Sequence, residues 1–309
     1  ADQIEKLDIR EGDTVFVEKG GEIIPKIIGV DLSKRPATSQ PTRYIDHCPE
    51  CETPLERTEG DAKHYCPNEY GCPPQITGRI QHYISRKAMD VEGLGAETVE
   101  LLYKEKLIKD YADLYALTKE QVLPLERMAE KSADNLINGI ADSVKVPFER
   151  VLFALGIRFV GETVAKKLAR AYKNIDALQV ATLEELMQVD EIGQRIAESV
   201  VAFFQNPINL EIISRLRQQG LQFEISADQL LNRTELFNGQ TFVVSGVFEN
   251  VSRDELKKLI EDNGGKVGSS ISSKTSYLVA GDKMGPSKRT RAESLGVPII
   301  SEADFMKML

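Results

Sequence analysis

All four cysteines of the 309-residue chain, Cys48, Cys51, Cys66 and Cys72, fall within one short stretch. The spacing is C-x2-C, fourteen residues, then C-x5-C. A close pair suits a tight knuckle that aims two thiolates at one metal, and four thiolates complete a tetrahedral shell. Such a closed shell suits a structural zinc ion; a catalytic zinc needs an open position. Pro49, Pro67, Gly71, Pro73 and Pro74 around the ligands favour turns over helix. Two disulfides are the competing reading, and the lack of a secretory signal argues against them. His47 and His64 lie close by. With the thiolate set complete, they are expected on the surface. So few large apolar residues would hardly fold without the metal.

The stretch from Thr77 to Phe223 reads as helices and short turns, and it repeats itself. Gly95, Ala129, Gly161 and Gly193 align at steps of 34, 32 and 32 residues. An apolar residue precedes each: Leu94, Met128, Val160 and Ile192. Four positions on stand Val99, Ala133, Ala165 and Ala197; seven positions on stand Leu102, Leu136, Leu168 and Val200. The i+4 and i+7 positions share one buried helix face, and a small residue at the turn lets backbone amides approach a ligand closely. Each unit is therefore helix, hairpin, helix, with N–H groups at a helix N-terminus ready for phosphate. A plain helical repeat for protein contact is the bland alternative, but it needs no hydrophobic-Gly step at every turn. Gly93–Gly95 (GLG) and Val160–Gly161 resemble the helix-hairpin-helix motif. The second unit has Met128-Ala129 instead, and only the first carries the outer glycine, where the others have Arg127, Phe159 and Glu191. The second hairpin above all is expected to grip less well or to serve only as packing. Candidate DNA contacts are Gly93, Gly95, Ala129, Lys131, Gly156, Gly161 and Gly193, with Lys19 near the amino terminus.

The formal charge of -9 argues mildly against a nucleic-acid partner. Backbone N–H groups and helix N-termini can nevertheless hold phosphate without net basic charge. No apolar run approaches a membrane span. The amino terminus, ADQIEKLDIREGD, has neither a signal-peptide core nor a starting Met, so a soluble cytoplasmic fragment is the expectation.

Beyond Phe223, ISADQLLNRTELFN reads as a linker, and an α/β pattern follows. Strands are expected at Thr241–Ser245, near Val267, at Tyr277–Ala280 and at Val297–Ile300. Helices are expected at Arg253–Asn263, Ser287–Leu295 and Glu302–Leu309. This alternation implies a mainly parallel sheet with helices on its faces. Gly264-Gly265 after the first helix and SKRTRAESLG in the second resemble a BRCT domain, with Phe305 where many BRCT domains carry Trp. In that superfamily a Ser/Thr and Gly after the first strand, and a Lys at the second helix, hold a phosphate. Ser245, Gly246 and Lys288 match those positions; a simple turn and a solvated lysine are the equal alternative. Before the cysteines, Thr14–Glu18 and Glu22–Val30 read as two strands, with Pro25 marking an edge or bulge. Two strands are too few for a stable sheet, so half of a barrel is expected. The DIR-x-GD and KGGEIIP runs resemble the end of the OB-fold of NAD-dependent DNA ligases.

In this order, the parts resemble the carboxy-terminal half of a bacterial NAD-dependent DNA ligase. The fold class is multidomain, mainly α with α/β: an OB-fold remnant over residues 1–44, a four-cysteine zinc finger over 45–76, a four-motif helix-hairpin-helix domain over 77–226 and BRCT over 236–309. The resemblance implies nick sealing in replication and repair, in which a Lys takes AMP from NAD and passes it to a 5′-phosphate. It also implies partners: nicked duplex DNA and the amino-terminal adenylation half, the whole acting as a monomer. No Lys-x-Asp-Gly adenylation site occurs; the nearest sequence, Lys6-Leu7-Asp8-Ile9, lacks the Gly. No catalytic residue is therefore assigned, and NAD and Mg are expected only for the full-length enzyme. A non-enzymatic repair or clamp-loading scaffold with BRCT is the alternative; it would not need KGGEIIP ahead of the zinc module.

Overall fold

The computed structural model describes residues 1–20, 24–57, 63–226 and 236–309. The chain divides into two compact units. One holds Ala1–Val146, Arg150–Ala165 and Leu183–Leu221; the other holds Pro147–Glu149, Lys166–Thr182 and Gln222–Leu309.

The first unit begins with helix α1 (Asp2–Lys6) and an antiparallel strand pair, β1 (Val15–Gly20) and β2 (Ile24–Val30). Gly20 ends β1, while Gly21 and the expected start of the second strand at Glu22 lie outside the described residues. Pro25 sits opposite Lys19 in the ladder, and a bulge falls between Phe16 and Val17. A two-stranded sheet has only edges, so a strand residue without an N–H is tolerated. Phe16, Val17, Ile24 and Ile28 are exposed on this pair, which buries no core of its own. It is anchored through Arg35, whose guanidinium pairs with Asp13 at 2.9 Å and Asp8 at 2.6 Å. Hydrogen bonds from Arg10 and Arg35 hold the Asp8 carboxyl down at about 2.

Helices follow the cysteine module. They are α2 (Pro73–Ile84), α3 (Ala96–Lys104), a 3-10 turn at Tyr111–Ala116, α4 (Lys119–Val122), α5 (Glu130–Ser143), α6 (Phe148–Ala154), α7 (Glu162–Tyr172), α8 (Ile175–Gln179), α9 (Leu183–Met187), α10 (Gln194–Gln205) and α11 (Pro207–Gln218). The expectation that Pro73 and Pro74 make turn rather than helix is corrected: they open α2. At the first helical positions the missing N–H would lack an intrahelical acceptor anyway, and proline's fixed φ suits the helix. In the core of the helical stretch, the Tyr83 hydroxyl lies 2.8 Å from Tyr115, and Tyr115 lies 2.9 Å from the Ser143 hydroxyl. Burial raises both phenols above their ordinary pKa.

The second unit carries a four-stranded parallel sheet of order β4-β3-β5-β6, formed by β3 (Thr241–Ser245), β4 (Lys266–Gly268), β5 (Tyr277–Ala280) and β6 (Ile299–Ile300). Helices α12 (Arg253–Asp262), α13 (Pro286–Ser294) and α14 (Glu302–Met306) alternate with the strands. Successive strand residues point to opposite faces. Phe242 and Val244 pack with Phe237, Leu256, Ile260, Val279 and Phe305, whereas Val243 packs with Ile271, Leu278, Ala292 and Val297. Phe305 is fully buried, its ring 5.7 Å from Phe237 and 5.9 Å from Phe242, so Phe fills this core without Trp. Ser252 and Glu255 cap the start of α12 reciprocally, and Gly264 (φ 83) follows its end. The last strand is shorter than expected: Val297 packs into the core, but only Ile299–Ile300 pair with β5. The last helix likewise stops at Met306.

The expected linker lies mostly outside the described residues, but its two ends are structural. Ile225 is buried and donates its N–H to Lys173 O at 2.8 Å; Phe237 is a core residue. Apolar side chains at the ends of a polar stretch belong to the folds they border. In the same unit Arg170 and Lys166 lie 3.3 and 3.7 Å from Glu261.

Candidate functional site

The cysteine module is a pair of narrow ribbons. Cys48 N–H bonds Thr53 O and Glu52 N–H bonds Cys48 O, both at 2.9 Å, with Glu52 at φ 56. Bridges His47↔Pro54 and Glu56↔Tyr65 bring the second half alongside, and Cys72 stands at the N-cap of α2. The Sγ atoms of Cys48 and Cys72 are 3.8 Å apart, those of Cys51 and Cys66 are 3.5 Å apart, and all four lie within 4.8 Å of one another. A disulfide would require about 2.05 Å. A tetrahedron with Zn–S near ~2.3 Å requires edges of roughly 3.8 Å, so the donor set fits zinc. Hydrogen bonding from Thr53 pulls the Cys51 thiol down to about 6, while burial pushes Cys72 up to about 12 and Cys66 upward. Neither histidine belongs to the cluster. His47 is exposed and paired with Asp46 at 2.8 Å. His64 is half-buried rather than on the surface, stacked on Tyr44 with ring centroids 4.5 Å apart.

The four hairpins share one backbone conformation. Each begins with a turn closed by an N–H to carbonyl bond three residues back: Leu94→Val91, Met128→Leu125, Val160→Ile157 and Ile192→Val189, at 3.0 to 3.4 Å. The third turn residue has positive φ every time: Gly93 80, Arg127 61, Phe159 65 and Glu191 65. The next helix then starts with the same bond from the i+4 N–H: Val99→Gly95, Ala133→Ala129, Ala165→Gly161 and Ala197→Gly193. Val99, Ala133, Ala165, Ala197, Leu102, Leu136, Leu168 and Val200 are all fully buried, as the repeat requires.

Gly95, Ala129, Gly161 and Gly193 are exposed and stand one residue before α3, α5, α7 and α10. A Cβ added to Gly95, Gly161 or Gly193 would meet nothing within 4 Å. Among the described residues, no group accepts a hydrogen bond from the backbone N–H of any of the four. These glycines are therefore not required by the chain's own packing. They leave open space in front of an unfilled donor and a positive helix end.

The other predicted contacts differ in kind. Gly93 is constrained from within, since a Cβ would lie 3.1 Å from the Asn135–Leu136 backbone. Gly156 (φ 72) follows the end of α6 rather than beginning a helix. Lys131 is exposed in the first turn of α5, and Lys19 is exposed on β1. Sequence reasoning missed Gly139 on α5, where a Cβ would fall 2.0 Å from the Glu92 carbonyl oxygen. It also missed a cation–aromatic group. Arg195 and Arg158 lie over the Phe159 ring at 4.1 and 4.9 Å from its centroid, and Arg158 lies 5.0 Å from that of Tyr65. The visible signal was a tip residue flanked by arginine, not the spacing of glycines.

In the second unit Ser245 ends β3 and is buried, and Gly246 follows at φ 110. A Cβ on Gly246 would lie 2.5 Å from the Gly281 carbonyl oxygen, so this glycine has a packing reason of its own. Lys288 is half-buried in the first turn of α13.

Comparison with known proteins follows this geometry segment by segment. Residues 1–39 match the NAD-dependent DNA ligase OB-fold domain, and residues 47–73 match the NAD-dependent DNA ligase C4 zinc finger domain. Residues 85–142 match a SAM-like helix-hairpin-helix tandem, and 150–213 a helix-hairpin-helix motif. Residues 232–309 match the BRCA1 C Terminus (BRCT) domain. The whole chain is 69% identical to a DNA ligase of Christiangramia forsetii, 68% to one of Flavobacterium johnsoniae and 54% to one of Bacteroides fragilis. Over its whole length the chain is similar to one part of the NAD-dependent DNA ligases. It spans 46% of the length of each of these relatives. The ligase zinc finger accounts for the four clustered cysteines, and a closed thiolate shell makes zinc structural. Among the described residues no helix is long and apolar enough to cross a membrane.

Proposed function

We propose that this chain grips nicked duplex DNA for a nick-sealing, NAD-dependent ligase reaction whose adenylation chemistry resides in a separate amino-terminal half. The observation that supports it is the set of four equivalent hairpins, each offering an unfilled N–H and open space at a helix N-terminus. Phosphate is the ligand such ends favour, and phosphate contacts carry no base sequence. Gly95, Gly161 and Gly193 admit the closest approach; Ala129 carries a methyl, and Lys131 adds charge beside it. Gly93 and Gly156 shape the turns. Lys19 contributes from the amino-terminal strand pair.

Cys48, Cys51, Cys66 and Cys72 hold one zinc that folds the module between the strand pair and the hairpins. In the last domain, Ser245, Gly246 and Lys288 take a phosphate at the start of α13. We divide the chain at residues 1–44, 45–76, 77–226 and 236–309. NAD and Mg belong to the complete enzyme, which acts as a monomer in the cytoplasm. Without a Lys-x-Asp-Gly sequence, this chain contributes the positioning of DNA rather than AMP transfer.

The test is fluorescence anisotropy on a nicked duplex. Each phosphate paired with a cationic side chain adds about -0.9 to the log–log salt slope, so Lys19, Lys131 and Lys288 together give about -2.7. Affinity should then drop roughly fortyfold between about 50 and 200 mM salt. Absent binding at low salt, or salt-independent binding, would overturn the reading.

A further inference from the structure

The third hairpin differs from the other three at its tip. Phe159 occupies the positive-φ position, φ 65, yet 41% of it remains exposed. That conformation is costly for a bulky side chain, and folding gains little from an exposed ring. Its neighbours Ile157 and Val160 are buried, so the ring alone is turned outward. Two guanidinium groups lie over it: Arg158 beside it in sequence, and Arg195 from the first turn of α10 in the fourth unit. Both arginines are exposed, and among the described residues neither has a carboxylate partner, in a chain of net charge -9. By contrast, Arg127 at the second tip lies 3.9 Å from Glu97 and 3.8 Å from Glu126. Arg158 also lies over Tyr65, which is 42% exposed in the zinc module. One strip, Tyr65–Arg158–Phe159–Arg195, therefore joins the zinc module to the third and fourth hairpins. It offers apolar ring surface between cations held in place by stacking.

A surface with flat apolar area set between paired anions is its complement, and a nucleic-acid strand presents one: sugars and bases bordered by phosphates. We propose that Phe159 packs against the sugar–base surface of bound DNA while Arg158 and Arg195 take the flanking phosphates. The inference rests on the DNA-gripping reading above and names a contact that backbone amides cannot make. Ring packing is uncharged, so it adds affinity without adding to the salt slope, whereas each arginine adds to that slope.

The test titrates the 309-residue chain and its F159A, F159Y and R195A variants against nicked duplex, at several salt concentrations, with zinc content and circular dichroism confirming the fold. F159A should bind about tenfold more weakly with an unchanged salt slope. F159Y should restore binding, and R195A should lower the slope by about one. F159A binding as tightly as the parent overturns the proposal, as does a loss that Tyr does not restore. If the parent chain itself shows no salt-sensitive duplex binding, the reading of the hairpins fails first and this contact with it.

Discussion

Gly161→Leu separates an amide that serves DNA from one that serves the fold. A Cβ at Gly161 meets nothing within 4 Å, and Gly161 is not among the glycines with positive φ, so the substitution neither clashes nor strains the backbone. The chain supplies its own control at the equivalent Ala129, where a side chain is already accommodated. The remaining cost to stability is the poorer N-cap, about 0.5–1 kcal/mol. For a chain of this size that is a melting shift of roughly 2–4 °C or less. Binding should suffer more. A leucine side chain fills the space through which a phosphate oxygen would reach the Gly161 N–H. Loss of one charge-assisted hydrogen bond costs about 1.5–3 kcal/mol, or roughly 10–150-fold in affinity. The salt slope should stay nearly unchanged, because the lost donor is a neutral amide and not a cation. Anisotropy on nicked duplex measures both quantities, and thermal melting checks the fold. Gly139→Ala serves as the opposite control. Its Cβ would lie 2.0 Å from the Glu92 carbonyl oxygen, so it should destabilise the first hairpin by about 1–3 kcal/mol through overpacking. Unchanged affinity in a correctly folded Gly161→Leu protein would refute the claim that this hairpin holds phosphate.

Cys66→Ser should leave three thiolates, release the metal and unfold the module between the amino-terminal strands and α2. Elemental analysis should find about one zinc per parent chain; a metal-free parent protein contradicts the assignment. Lys288→Ala should weaken binding to nicked DNA only modestly, since in the proposed reading the four hairpins supply most of the grip; no change in either affinity or salt slope removes the phosphate role of Ser245, Gly246 and Lys288. Incubation with labelled NAD should leave the chain unlabelled, and a stable AMP adduct on any lysine would show that adenylation does not need the missing Lys-x-Asp-Gly sequence.

What the sequence makes legible follows from how local the physics is. The zinc site is readable because both knuckle spacing and thiol chemistry are local, and a set of four cysteines admits few arrangements. The repeat is readable because a buried i+4 and i+7 face leaves the same imprint wherever it occurs. The parallel sheet follows from strand–helix alternation. Side chains brought together between different repeats leave no such imprint. Arg195 reaches Phe159 from a helix more than one repeat away, and Gly139 is explained only by the Glu92 carbonyl that crosses it. The outer glycine shows the limit most clearly. Its replacement by Arg127, Phe159 and Glu191 reads as a departure, yet all three adopt the same positive φ as Gly93. The turn is held by its closing hydrogen bond and by the mostly buried apolar residue that follows, so glycine is not needed for the conformation itself. Gly93 is needed for another reason, because the α5 backbone passes 3.1 Å from where its Cβ would stand. Hairpin geometry is thus common to all four units. In the proposed reading, differences in grip come from what stands at the tip, the N-cap and the first helical turn: a methyl at Ala129 with Lys131 beside it, an acid at Glu191, and a ring between two arginines at Phe159.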